Sequence, residues 1–458
     1  MLRVSSERLA IGLLLVATAA LACFAPAQSD TWWQLRIGSD ILHGRGIPLY
    51  DTYSFTAAGR FAFNHEWLAD ALFYAGYSLG GMPAVAVVCA SAITAAWVLS
   101  WRLTQGSFEL RFLLFAGCLA TCASGWAMRP QVLTLTLFAL TCTLLVANRR
   151  LAWLPLLFVV WTNVHGGVAL GIVATVAATG ATWLFRRRTP ALMIAVCLGC
   201  GLATCVSPMG LRFWPEVLNS IERSRLNQLQ EWQPPDFSGI YWPFWAMALA
   251  LPLATIAWWR RLDERQARIV AIALAVLPLA ARSMRNVSVF LLVAVPALTA
   301  VLTARRGPER ARRPTGEHEA VNGAILVFAS ITVAVMVILA WRAPAPSLRW
   351  QPMSPAAIEA VAACPDPIYN TYADGGFLIW FVPQKKVFID NRQDPYPADL
   401  LAASRMLEFD GRYESLFSRY GIRCAIVPPA SQTAARLKTN PAWSGVYSDN
   451  HWSIFAER

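Results

Sequence analysis

The feature that most constrains this chain is its succession of long apolar runs, cut at intervals by short clusters of arginine. Runs of membrane length lie at 9–26, 82–101, 112–128, 131–147, 151–164, 167–185, 190–206, 239–259, 267–281, 287–303 and 322–341, about eleven in all. The pair at 151–164 and 167–185 is parted only by Asn163, His165 and Gly166. The first run follows Arg3 and Arg8 and reads either as a span or as a signal peptide cleaved near Ala27; in both readings the next loop lies outside. Alternate connections carry Arg102 with Arg111, Arg149 with Arg150, Arg186 to Arg188, Arg260 with Arg261, and Arg305 through Arg313. Basic clusters mark cytoplasmic loops, so the N-terminus is expected inside and residues beyond 342 outside. The same clusters account for the net charge of +12, which therefore speaks of membrane topology and not of nucleic acid. With 56% hydrophobic and 14% charged residues, an ordinary soluble fold is excluded.

Polar chemistry concentrates in the connections of the other sign. The first, 29–67, holds Asp30, Asp40, Asp51 and Glu66 among Arg36, Arg45, Arg60, His43 and His65. Within it TWWQLRIGSDIL has helical spacing, with Trp33, Ile37 and Ile41 on a stripe expected to lie in the bilayer interface. Arg36, Asp40 and His43 fall on the opposite side, where Asp40 is expected to pair with Arg36. Gly44, Gly46 and Pro48 end the helix. Further outward connections carry Arg129, the stretch 163–167, the segment 207–238 with Glu216, Glu222 and Glu231, and Arg282 with Arg285. Charge at membrane depth costs about 2.5–3.5 kcal/mol per residue, so these groups are expected to face one outward polar cavity.

After residue 342 the composition changes to that of a small soluble α/β domain. Strands are expected at PIYN, KKVFID and CAIVPP and in a final pair, with helices at GGFLIWFV, 397–420 and 431–439. The expected organisation is thus a transmembrane domain, 1–341, with its first outer loop at 27–66, and an extracytoplasmic domain, 342–458. Eight of the ten cysteines sit in or beside apolar runs and read as core residues; Cys364 and Cys424 fall in the soluble part, where a disulfide is open. No HExxH, GxSxG or phosphate-binding glycine loop is present.

Three features together resemble the GT-C superfamily, polytopic glycosyltransferases that use polyprenyl-phosphate or polyprenyl-pyrophosphate sugar donors. They are Asp30 in SDTWWQLRIG at the start of the first outer loop, the many spans followed by a soluble domain, and YADGGFLIW…KKVFIDNRQD at 372–394. The last is similar in order and spacing to the segment around the WWDYG motif of oligosaccharyltransferase catalytic subunits. Tyr372 and Ala373 stand where that motif has paired Trp, so sequon recognition does not carry over. The nearer likeness is to bacterial GT-C-type proteins of the inner membrane and cell envelope with DTWW-like and NHEW-like motifs.

The resemblance implies an all-α GT-C-like bundle with a small C-terminal α/β domain. It also implies transfer of a sugar from a polyprenyl-phosphate-linked donor to a lipid, glycan or protein acceptor, with inversion. Asp30 matches the carboxylate that acts as general base or holds a metal, and Glu66 is the candidate second carboxylate; a divalent metal is the candidate cofactor. The alternative for Asp30 is helix capping with Ser29. Arg282 and Arg285, read as sharing a helix face, with Arg129 and His165, are candidates for gripping the donor phosphate; snorkelling toward headgroups is the competing account. Asp374, Asp390, Arg392 and Asp394 are candidates for the acceptor or domain interface, against a turn with local salt bridges. The YADGGFLIW run is expected to pack down and not to project on a linker. A non-catalytic protein that binds or moves a lipid-linked sugar would need the cations but not the base.

Overall fold

A computed structural model describes residues 3–226, 230–237, 239–306 and 318–458. The chain divides into two compact units: Met1–Ala25 with Pro83–Pro344, and Pro26–Met82 with Ala345–Arg458. Arg310, Arg312 and Arg313 of the arginine-rich connector lie outside the described residues.

The first unit is an apolar helical bundle, and each expected apolar run is helical in it. Among the described residues six helices are long and apolar enough to cross a membrane: Ser6–Cys23, Trp67–Leu103, Val168–Arg186, Gly239–Arg261, Met284–Arg305 and Glu319–Arg342. Gln131–Ala147, Leu151–Val164 and Ala191–Ala203 are apolar but shorter. The arginine-bearing connections gather at one end, where Arg186 pairs with Glu264, Arg268 donates to the Val146 carbonyl, Gln266 meets Gln105, and Arg261 donates to the Arg305 carbonyl. Helices Ser6–Cys23 and Glu319–Arg342 lie side by side in the same direction. Val4 N–H donates to the Glu319 carbonyl at their starts and the Trp341 indole to the Cys23 carbonyl at their ends.

The second unit joins the first loop to the C-terminal segment. Its sheet has four strands, β1 (Ile368–Asn370), β2 (Cys424–Val427), β3 (Trp443–Ser448) and β4 (Ser453–Glu457), in the order β1-β2-β4-β3. The β1–β2 pair is parallel and the other two pairs are antiparallel. KKVFID is not a strand of this sheet. Its residues 387–390 are buried, and Val387 exchanges hydrogen bonds with Tyr53 and Phe55 of the first loop. Ala57 and Phe55 of the loop join the core formed by Tyr369, Phe388, Tyr396 and Phe417. Cys364 and Cys424 form a disulfide.

The expected loop helix is present as Ser29–Leu42. Of the Trp33, Ile37 and Ile41 stripe expected in the bilayer interface, Ile37 is buried within this unit, the Trp33 indole donates to Asn391 of the C-terminal segment, and Ile41 is half-buried. Helix Gly375–Phe381 packs against it at backbone distance. A Cβ on Gly376 would come within 2.1 Å of the Ser29 carbonyl oxygen, so only glycine fits there. Trp32 lies 4.7 Å from Phe381, ring centre to ring centre.

Candidate functional site

The candidate residues fall into two groups, one in each unit. The acidic group is built on the loop helix. Gln28 caps that helix, with its N–H bonded to Thr31 Oγ1, and Asp30 lies in the first turn, so capping does not account for the carboxylate. Ser29 Oγ instead accepts from Gly376 N–H at 3.1 Å. Asp30 is only 8% exposed, and Asn391 Nδ2 donates to its Oδ1. Because the Trp33 indole donates to Asn391 Oδ1 at 3.0 Å, the amide has one orientation, with its NH₂ toward Asp30. One turn on from Asp30, Gln34 donates to Glu66 Oε2 at 2.8 Å, and His65 Nε2 lies 3.5 Å from the other Glu66 oxygen. Asp70, one turn beyond Glu66, is fully buried, and neither of its carboxylate oxygens has a hydrogen-bond partner.

Beside this lies a closed network. Arg392 donates to Asp51 Oδ1 at 2.6 Å and to both oxygens of Asp390 at 2.6 and 2.8 Å. The Tyr396 hydroxyl donates to Asp390, while Ser54 Oγ and N–H donate to Asp51. Burial works against the Arg392 charge, but Asp390, Tyr396 and Asp51 outweigh it and hold the guanidinium protonated. Asp390 and Arg392 therefore tie the first loop to the C-terminal segment. Asp40 bonds Arg36, Arg45 and the Tyr53 hydroxyl, the first as expected. A cleft of about 30 Å³ opens between the loop and the turn after Ile389, lined by Trp33, Tyr50, Phe63, Asn64, Arg392 and Asp394. Asp374 occupies the N-cap position of helix Gly375–Phe381 without making a cap bond, and it accepts from Thr371 Oγ1 instead. Burial pushes its carboxyl up to about 6, with Glu408 adding to the rise against the Thr371 bond.

The cationic group belongs to the helical unit and stands at the opposite ends of its helices from the arginine-rich connections. Arg129 precedes helix Gln131–Ala147, His165 follows Leu154–Val164, and Arg285 precedes Val287–Arg306. Glu231, on the short turn Gln230–Trp232, brings them together: Arg129 Nη1 donates to its Oε2 and Arg285 Nη1 to its Oε1, both at 2.9 Å. Burial raises the Glu231 carboxyl, but Arg285 and Arg129 pull it further the other way, to about 2. Arg285 Nη2 meets His165 Nε2 at 2.8 Å, while His165 Nδ1 accepts from Gly167 N–H at 2.9 Å and lies 2.9 Å from Thr134 Oγ1. Arg282 does not share a helix face with Arg285. Helix Glu264–Ala281 ends just before it, Arg285 sits in the next turn, Met284–Asn286, and Arg282 is exposed.

Among the described residues no three His, Cys, Asp or Glu side chains gather closely enough to hold a metal. Sequence reasoning missed Asn391, Gln34 and Asp70 as members of the acidic group. Asp70 had a usable signal, its spacing of one helical turn from Glu66; a neutral amide such as Asn391 had none.

The sequence matches no protein-family model and no curated protein. Among solved structures, the chain is similar to the archaeal oligosaccharyltransferase AglB from Archaeoglobus fulgidus in complex with an inhibitory peptide and a dolichol-phosphate. That likeness has a TM-score of 0.51 at 12% identity, over 91% of this chain and 69% of that one. ArnT from Cupriavidus metallidurans bound to undecaprenyl phosphate aligns over 98% of this chain and 96% of its own, with a TM-score of 0.49 at 15% identity. The AglB likeness shows the fold alone: a polytopic helical bundle with a small sheet-bearing C-terminal domain.

Proposed function

We propose that this chain is a membrane glycosyltransferase of GT-C type, moving a sugar from a polyprenyl-phosphate donor to an acceptor hydroxyl on the extracytoplasmic face of a bacterial inner membrane. The observation that carries the reading is the buried Asp30 carboxylate, fixed by Asn391 at the start of the first-loop helix in an AglB-like fold. Asp30 takes the acceptor proton as the acceptor oxygen attacks the anomeric carbon. The bond from that carbon to the phosphate oxygen breaks, the phosphate leaves with the electron pair, and configuration inverts. In the helical unit, Arg129 and Arg285, with His165 behind Arg285, are the proposed grip on the donor's phosphate group. Glu66, held by Gln34, is the second carboxylate of the acidic group. The cleft beside Arg392 and Asp394 is the candidate acceptor contact. The Cys364–Cys424 disulfide supports an oxidising compartment for the C-terminal segment.

The test is Asp30→Asn in the full-length protein, in membranes supplied with polyprenyl-phosphate-linked sugars. Loss of the base is expected to lower release of free polyprenyl phosphate by about 10²–10⁴-fold while donor binding persists. Turnover at the wild-type rate would overturn the reading, and binding without turnover in the wild type would favour a non-catalytic carrier.

A further inference from the structure

We infer that Glu231 occupies an anion site whose working ligand is a phosphate group, and that its carboxylate swings out when that phosphate arrives. The inference rests on the glycosyltransferase reading and adds to it an internal competitor for the donor.

Three observations support it. Two guanidinium groups from separate segments converge on one carboxylate, each on its own oxygen at 2.9 Å, an arrangement that two oxygens of a phosphate satisfy equally well. The anion is also the most exposed of the three partners. Glu231 is 30% exposed, against 17% for Arg129 and 18% for Arg285, so the carboxylate stands on the solvent side with the cations behind it. Exchange for a phosphate would release Glu231 into water and leave neither arginine without an anion, the outcome that makes breaking a buried pair costly.

The third observation is that Arg285 is anchored independently of Glu231, whereas the two arginines are the partners of the Glu231 carboxylate. Arg285 is braced by His165 through Nη2, its carbonyl accepts from Gln131, and its guanidinium lies 5.4 Å over the Trp232 ring. His165 in turn is set by Thr134, which also accepts from the Trp161 indole. Glu231 lies on a single turn fastened through its main chain, where Ser283 Oγ donates to the Glu231 carbonyl and Met284 N–H to that of Gln233. Its side chain is left to rotate while the turn stays in place. A lipid phosphate and a free phosphate offer the same oxygens, and a phosphate monoester brings up to two negative charges against one on the carboxylate.

The experiment measures binding of undecaprenyl phosphate to the full-length protein in nanodiscs, with phosphatidylglycerol and inorganic phosphate as parallel ligands. If the carboxylate fills the site about nine-tenths of the time, Glu231→Gln is expected to lower Kd about tenfold, because the competent fraction sets the apparent affinity. Glu231→Asp, too short to span both guanidinium groups, is expected to shift Kd the same way with the fold kept, and Arg285→Gln to abolish binding. Tightening confined to undecaprenyl phosphate assigns the site to the prenyl lipid; equal tightening for phosphatidylglycerol supports the phosphate site and assigns it to bulk headgroups. Weaker binding in both Glu231 variants, as a purely structural ion pair requires, overturns this inference alone. Absence of binding by every form overturns it together with the glycosyltransferase reading.

Discussion

Asn391 is the side chain on which the acidic group turns, and it does so with both ends of one amide. Its oxygen is committed to the Trp33 indole, so its NH₂ is committed to Asp30. A donor aimed at a carboxylate favours the charged form, the state a general base needs. Asn391→Ala is therefore expected to lower turnover about tenfold, with donor affinity unchanged. Trp33→Phe, which frees the amide to rotate, should lower turnover by less. Turnover at the wild-type rate in Asn391→Ala would assign Asn391 a packing role only. Asp30 stood out in the sequence because a lone carboxylate at the end of an apolar run is costly to leave there. Its partner did not, because Asn391 lies 361 residues away and carries no charge to mark it.

At the scale of elements, the joint between the first loop and the segment around Val387 is closed by the Asp51–Arg392–Asp390 network. Every polar group in it has a partner within the second unit. Removing the cation would leave two buried carboxylates facing each other. Arg392→Met is expected to destabilise this unit by about 3–5 kcal/mol, seen as a lower thermal midpoint and as proteolysis of the C-terminal segment. Asp394→Asn, at the rim of the cleft, should change either reading little. The helices were legible in the sequence because apolar runs of that length leave no other option, and so was the pairing of Asp40 with Arg36 one turn away. KKVFID reads in the sequence as a strand. Its alternation suits a sheet, but the hydrogen bonds it makes go to Tyr53 and Phe55, which no local pattern could reveal.

For the molecule as a whole, the parallel course of helices Ser6–Cys23 and Glu319–Arg342 means that the chain leaves the helical unit at the same end both times. With the arginine clusters at the other end, that end is expected to face away from the cytoplasm. Thiol labelling of unreduced, denatured protein from cells should then find eight cysteines, the ten less Cys364 and Cys424, and a reporter active only in the cytoplasm should be silent when fused at Arg458. Ten reactive thiols with an active reporter would reverse the orientation. The union of the first loop with the C-terminal segment also has a bearing on synthesis. Asp51 and Arg392 are 341 residues apart, so at about 5–20 residues per second the loop waits tens of seconds on the ribosome before its partner exists. During that wait Asp51 and Asp30 have no Arg392 or Asn391 to meet, and the loop needs solvent or a chaperone to hold it open. A nascent chain stopped near residue 344 would carry the same unfinished loop, so deleting the C-terminal segment removes not an appendage but half of the fold that the loop depends on.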